Sequence, residues 1–214
     1  FDSEDHPESV PLTEDFTLTH TGHIYPGRRD PSELFKALVL LRQESPQLLK
    51  GFQCRFVGGN SRGILAPLVH ALDLDDVVSF LPQVSRDESR KLQSESTALL
   101  LLNWNDPRDE GTYSGKLFEY LGARRPILAV STYVHGSAAK LIRQSGCGVV
   151  ANAAEDIKGV LSKWMQEWQT HSSILTNFRP DETVLARYTW RNQARELAAV
   201  FDQVVDSRSD TGRR

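Results

Sequence analysis

Ser114, Gly115, Lys116, Leu117 and Glu119 are of types, and at spacings, that could do chemistry. Ser114 suits the N-cap of a helix, and the free amides of Gly115, Lys116 and Leu117 would then point out of the helix start. Lys116 adds a full positive charge beside those amides, and Glu119, three residues on, shares its helix face. Amides and an ammonium suit a phosphate, while a nearby carboxylate suits sugar hydroxyls. The combination implies a site for a nucleoside diphosphate. Taken alone, Lys116 and Glu119 read as a surface ion pair worth a few tenths of a kcal/mol. The loop and helix start around them favour the site.

The elements that would hold these groups are legible on either side. Ala98-Leu99-Leu100-Leu101-Leu102-Asn103-Trp104-Asn105 is an apolar run of strand length, followed by a polar loop from Asp106 to Gly115. A short helix, Lys116 to Arg125, leads to a second apolar run, Pro126 to Thr132. Strand, helix and strand imply a βαβ unit with both strands buried, and ligands of such units sit at the carboxyl ends of the strands.

Further strands are expected at Phe16–Thr21, Phe52–Val57, Val77–Leu81 and Gly148–Ala151. Helices are expected from Asp30 or Ser32, on an Ile64-Leu65-Leu68-Leu72 stripe with Pro67 inside it, and from Ser85 to about Glu95 behind a capping box. Others cover Ser137–Gln144 and Ala153–Thr170, and one long helix runs from Pro180 to Asp206. This alternation predicts a Rossmann-like, doubly wound parallel sheet of about six strands, an α/β fold. Residues 1–14 read as linker, 15–206 as one domain and 207–214 as a disordered tail. The sequence has no internal repeat or low-complexity segment.

Composition narrows the function. The chain has 214 residues, 39% of them hydrophobic and 25% charged, which suits a globular domain with a sizeable core. A net charge of −3 argues against nucleic acid as a partner. The two cysteines, Cys54 and Cys147, lie in apolar runs and read as buried thiols in a reducing compartment. An apolar run of ~18 residues and a signal peptide are both lacking, so the expectation is a cytoplasmic protein. The chain starts at Phe1 and holds one methionine, Met165, so it reads as a piece of a longer protein. Asp73 and Asp75 have metal-site spacing but fall at a helix–strand turn and read as structural; no metal is expected.

Four stretches occur in order: Gly22-His23-Ile24-Tyr25-Pro26-Gly27-Arg28-Arg29-Asp30-Pro31, Phe56-Val57-Gly58-Gly59, Phe80-Leu81-Pro82-Gln83-Val84 and Gly115-Lys116-Leu117-Phe118-Glu119-Tyr120-Leu121-Gly122. Together they resemble the C-terminal, donor-binding domain of GT-B glycosyltransferases of the large retaining group called family four. The resemblance covers about residues 14 to 205, with the last helix crossing back onto an N-terminal domain.

The resemblance implies that Glu119 holds the ribose hydroxyls of a nucleoside-diphosphate sugar, the co-substrate. It implies that Gly115, Lys116 and Leu117 contact the diphosphate, with Ser114 at the helix start and Arg28 or Arg29 as a second cation. Gly22 would admit the donor backbone-close, His23 stands where the family commonly has arginine, and Gln83 and Val84 lie where the nucleobase is contacted. The family's earlier glutamate falls at Gly111, with Glu110 adjacent, so Glu110, Gly111 and Thr112 are the sugar-contact candidates. Arg28, Arg29 and Lys116 would stabilise the leaving diphosphate. A glycan or lipid-linked acceptor, and any peripheral membrane contact, would belong to the N-terminal domain, and this piece would be inactive alone. Cell-envelope or capsular polysaccharide assembly is the expected setting. A nucleotide-sugar epimerase of GT-B architecture and a non-catalytic Rossmann-like interaction module are the alternatives.

Overall fold

The computed structural model describes residues 1, 10–174 and 178–211, with side chains described as far as residue 205. Most of the expected linker, 2–9, and the end of the expected tail, 212–214, lie outside the described residues.

Six strands form one sheet: β1 (Phe16–Thr21), β2 (Phe52–Val57), β3 (Val78–Leu81), β4 (Ala98–Leu102), β5 (Ile127–Val130) and β6 (Gly148–Val150). Every neighbouring pair is parallel and the order is β3-β2-β1-β4-β5-β6. The six-stranded parallel sheet expected from the alternating runs is therefore present. Strand order reverses between β1 and β4, and their carboxyl ends diverge there to leave a crevice.

The helices are α1 (Ser32–Glu44), α2 (Ser61–Ala71), α3 (Arg86–Glu95), α4 (Gly115–Ala123), α5 (Ser137–Gln144), α6 (Ala154–His171), α7 (Glu182–Ala186) and α8 (Trp190–Thr211). Leu100, Leu102 and Leu128 face one core layer with Phe35 and Leu38 of α1 and Ile157 and Leu161 of α6. Leu99, Leu101, Ile127 and Ala129 face the other with Leu117, Tyr120 and Leu121 of α4 and Leu141 and Ile142 of α5. The alternation of Leu99–Leu102 between two layers is why β4 reads as unbroken leucine rather than as an alternating strand. Among the described residues, no helix is long and apolar enough to cross a membrane.

β1 is buried at all six positions, although four of its residues, Thr17, Thr19, His20 and Thr21, are polar. Its threonines find partners across the sheet. Thr17 and Thr97 exchange amide-to-hydroxyl hydrogen bonds of 3.1 Å each. The Thr19 hydroxyl accepts from Arg55 Nε and Ser96 Oγ, and the Thr21 amide donates to the Tyr120 hydroxyl at 3.0 Å. Buried hydroxyls cost little when paired in this way.

Two expectations are corrected. On α2 the buried face is Leu65 and Val69, four apart, whereas Ile64 and Leu68 are each 36% exposed, so the stripe lies one residue further round the helix. The long helix from Pro180 is two helices. Asn192 Nδ2 and Gln193 Nε2 donate to the Ala186 and Arg187 carbonyls, and the Thr189 hydroxyl accepts from the Asn192 amide. These side chains take over backbone groups that a continuous helix would have paired. α8 then runs five residues beyond the expected end at Asp206, to Thr211. Asp73 and Asp75 are engaged structurally, by Arg42 and by His70.

Candidate functional site

The site is built where β1 and β4 part, around the start of α4. Ser114 is extended (ψ 146°) and its hydroxyl accepts from the Leu117 amide at 3.4 Å, which makes it the N-cap expected of it. The Gly115 and Lys116 amides are left as free donors at the positive end of the helix dipole.

Gly22, the first residue after β1, brings the lysine into the crevice. Its amide donates to the Val57 carbonyl at 2.7 Å, and its φ of +110° is a conformation that L side chains rarely adopt. The Lys116 side chain lies against it so closely that a Cβ at Gly22 would overlap Nζ and Cε. A Cβ at Gly58 would in turn overlap the Gly22 carbonyl oxygen, so the two glycine turns are packed backbone to backbone.

Two cavities flank this helix start. A cleft of about 280 Å³ lies on the β2–β3 side, lined by Gly22, His23, Gly58, Gly59, Gln83, Val84 and Glu119 among others. A larger one of about 440 Å³ is lined by Ser114, Arg28, Arg29, Trp104, Arg108 and Thr112 among others. Ser114, at the α4 N-cap, lines the larger cavity and Glu119, within the first turns of the same helix, lines the smaller. The sequence-expected groups thus assemble in two sets: Gly22, His23, Gln83, Val84 and Glu119 on one side, Arg28, Arg29, Ser114 and Thr112 on the other.

The remaining sugar-contact candidates are placed elsewhere. The Glu110 carboxylate lies 3.9 Å from Lys140 Nζ with its side chain 64% exposed, and its carbonyl accepts from the Ser137 amide at the start of α5. Gly111 is exposed on the loop and does not line either cavity. Tyr113, further along the same loop, packs its ring on Phe118 and Tyr188.

Electrostatics sort the cations. Burial, followed by the nearby Arg29 charge, lowers the Lys116 pKa to about 8, with Glu119 opposing the shift. His20 is wholly buried and held neutral, its pKa lowered to about 3 chiefly by burial, then by Lys116. Its Nδ1 donates to the Leu100 carbonyl at 3.0 Å, leaving Nε2 as an acceptor without a partner. Arg29 therefore shares the field of Lys116, whereas the Arg28 guanidinium lies 4.7 Å from the centre of the Trp104 ring.

Two positioning groups escaped the sequence reading. The Asn60 side chain accepts from the Ile24 amide at 3.0 Å and donates to the Ile24 carbonyl at 2.7 Å, clamping the β1–α1 loop. Gln93 of α3, fully buried, donates to Glu119 Oε2 at 3.3 Å and to the hydroxyls of Thr21 and Ser89. The available signals were Asn60 directly after the glycine pair and Ser89 and Gln93 four apart on an otherwise charged helix.

No family model matches the sequence, and comparison with curated proteins finds no match. Solved structures do match in fold. Sucrose-phosphate synthase from Thermosynechococcus elongatus superposes with a TM-score of 0.63 at 17% identity, over 92% of this chain and 47% of the other. Anabaena HepE in complex with UDP gives 0.66 at 16% identity, over 89% of this chain and 49% of the other. The C-terminal domain of LpcC from Francisella tularensis, a glycosyl transferase group 1 family protein, gives 0.59 at 11% identity, over 83% of this chain and 93% of the other. The fold is that of the C-terminal half of a GT-B glycosyltransferase. The chain accordingly spans about half the length of the first two proteins and nearly all of the isolated LpcC domain.

Proposed function

We propose that this chain is the donor-binding domain of a glycosyltransferase that moves a sugar from a nucleoside diphosphate to a glycan or lipid-linked acceptor held by a companion domain. The observation that carries the reading is the placement of Glu119 and the Gly22, Gly58 and Gly59 turns around one cleft beside the α4 start. The nucleoside enters that cleft. One Glu119 oxygen is held by Gln93, which leaves the carboxylate able to accept from ribose hydroxyls. Gln83 and Val84 flank the base.

The diphosphate then sits across the α4 N-terminus, against the Gly115 and Lys116 amides, the Lys116 ammonium and Arg29. As the glycosidic bond to the diphosphate breaks, negative charge builds on the leaving oxygen, and these fixed donors stabilise it without having to reorganise. Single donors of this kind are worth a few kcal/mol in enzymes. Uridine is the base we favour, because the HepE complex named above contains UDP. The resemblance supports retaining hexosyl transfer in the cytoplasm, in envelope or capsular polysaccharide assembly, with the chain inactive without its companion.

Calorimetric titration of the folded chain with UDP, GDP, ADP and dTDP tests the proposal. At least one is expected to bind at or below millimolar concentration, and Glu119→Gln is expected to weaken it about tenfold, or 1.4 kcal/mol. Absence of binding by all four to a folded chain overturns the reading.

A further inference from the structure

The larger cavity is lined by three arginines, Arg28, Arg29 and Arg108, with the α4 N-cap Ser114 also in its wall. We propose that it receives a sugar carrying a carboxylate, a glycuronosyl group on the donor, with Arg28 and Arg108 as the groups that recognise that carboxylate. The inference rests on the donor-domain reading and goes beyond it by naming the class of sugar.

Position comes first. Glu119 lines the cleft on one side of the α4 start and Ser114 the cavity on the other. A donor whose nucleoside meets Glu119 and whose diphosphate crosses the helix amides must place its next group, the sugar, in the Ser114 cavity.

The chemistry of the walls follows. The Arg28 and Arg108 guanidinium carbons lie 4.7 and 4.3 Å from the centre of the Trp104 ring, so both cations gather on that ring. Arg108 is fixed by Asp106, whose two oxygens accept from Nε and Nη2 at 2.8 Å each, while Nη1 makes no such bond. Asp106 is itself anchored by the Arg108 amide at 2.9 Å. Among the described residues, Arg28 has no carboxylate within ion-pair distance. Its charge is displayed but not compensated.

A pocket for a neutral sugar would use carboxylate acceptors and an open aromatic face. Here Glu110 is turned away to Lys140, and the Trp104 ring is occupied by guanidinium groups. Asp109 remains in the wall as an acceptor for hydroxyls. Planar guanidinium donors match a planar carboxylate, and their fork geometry is better suited to it than an ammonium would be.

The test pairs donors that differ only in this group: UDP-glucuronate against UDP-glucose, and GDP-mannuronate against GDP-mannose, each titrated calorimetrically into the folded chain. In whichever base pair binds, the glycuronate is expected to bind about tenfold more tightly than its neutral partner. Arg28→Gln and Arg108→Gln are each expected to collapse that ratio towards one. Should Arg108→Gln fail to fold, Arg108→Lys keeps the charge but loses the fork, and a reduced ratio is expected. Equal or weaker binding of the glycuronates overturns the inference while leaving the donor site standing, as does a preference that survives these substitutions. If UDP, GDP, ADP, dTDP and all four donors fail to bind to the folded chain, both readings fall together.

Discussion

Lys116 is held where burial and the Arg29 guanidinium both disfavour its charged form, and its pKa falls to about 8 from the ordinary 10.5. Two consequences have opposite signs. In the free protein the unfolded chain keeps the lysine proton up to 10.5 while the folded one releases it near 8, so this group makes stability rise with pH across that window. A bound diphosphate restores the charge and raises the folded pKa again. UDP binding is therefore expected to be pH-independent from this group below about 8 and to weaken above it. Calorimetry at pH 8 in two buffers of different ionisation enthalpy should register proton uptake, and Lys116→Arg should abolish it. Zero uptake with the native lysine would show that the ammonium does not meet the ligand.

Gly22 gives a second expectation at the same scale. Its φ of +110° and the Lys116 atoms lying against it exclude a side chain, so Gly22→Ala is expected to lower stability by about 1–3 kcal/mol in thermal unfolding. Gly111, where an added Cβ meets nothing within 4 Å, is the control. Gly111→Ala should stay within about 0.5 kcal/mol of the parent. Both glycines are conspicuous in the sequence, and only the coordinates separate them, because the requirement at Gly22 arises from a lysine 94 positions away.

At the scale of elements, the parallel sheet, the α3 and α4 caps and the glycine turns were legible because each is governed by neighbours in sequence. Ser85 and Ser114 accept from the amides three residues on, as their spacing implied. What was illegible depends on distant partners. Nothing near Asn60 in the chain indicates that its amide group closes on Ile24, 36 residues earlier. Nor does anything near Asn152 indicate its matching clamp on the Thr132 amide and carbonyl, at 2.9 and 2.7 Å. The α7–α8 break was missed for a related reason: helical spacing of apolar residues resumes beyond it, and the breaking agents are ordinary polar side chains. Asn60→Ala leaves the amide and carbonyl of a buried residue unpaired and is expected to cost about 1–3 kcal/mol in urea unfolding. It should weaken nucleotide binding beyond that, since the loop it holds carries Arg28 and Arg29. Asn152→Ala should cost similar stability with a smaller effect on nucleotide affinity. Equal effects on binding would mean that the β1–α1 loop does not carry the ligand.

The whole molecule is asymmetric in how it covers its apolar surface. The two core layers bury their leucines almost completely, yet along α8 Trp190, Leu197, Phe201 and Val204 are 66, 55, 61 and 46% exposed. These residues recur at helical spacing and so form one stripe, which the sequence could reveal as apolar but could not reveal as exposed. Phe1 lies at its base, its carbonyl accepting from the Trp190 amide at 3.2 Å, so the first residue of the chain and the start of α8 are tied together. On the proposed function, the companion domain would cover this stripe. The expectation can be checked without knowing that domain's sequence. Because Leu197 and Phe201 make little contact here, Leu197→Glu with Phe201→Glu should leave the melting temperature of this chain within the range of ordinary surface changes, about 0.5 kcal/mol. The same pair should abolish activity in any longer form that transfers sugar. A large loss of stability in the 214-residue chain would instead mean that α8 already packs against the domain it belongs to.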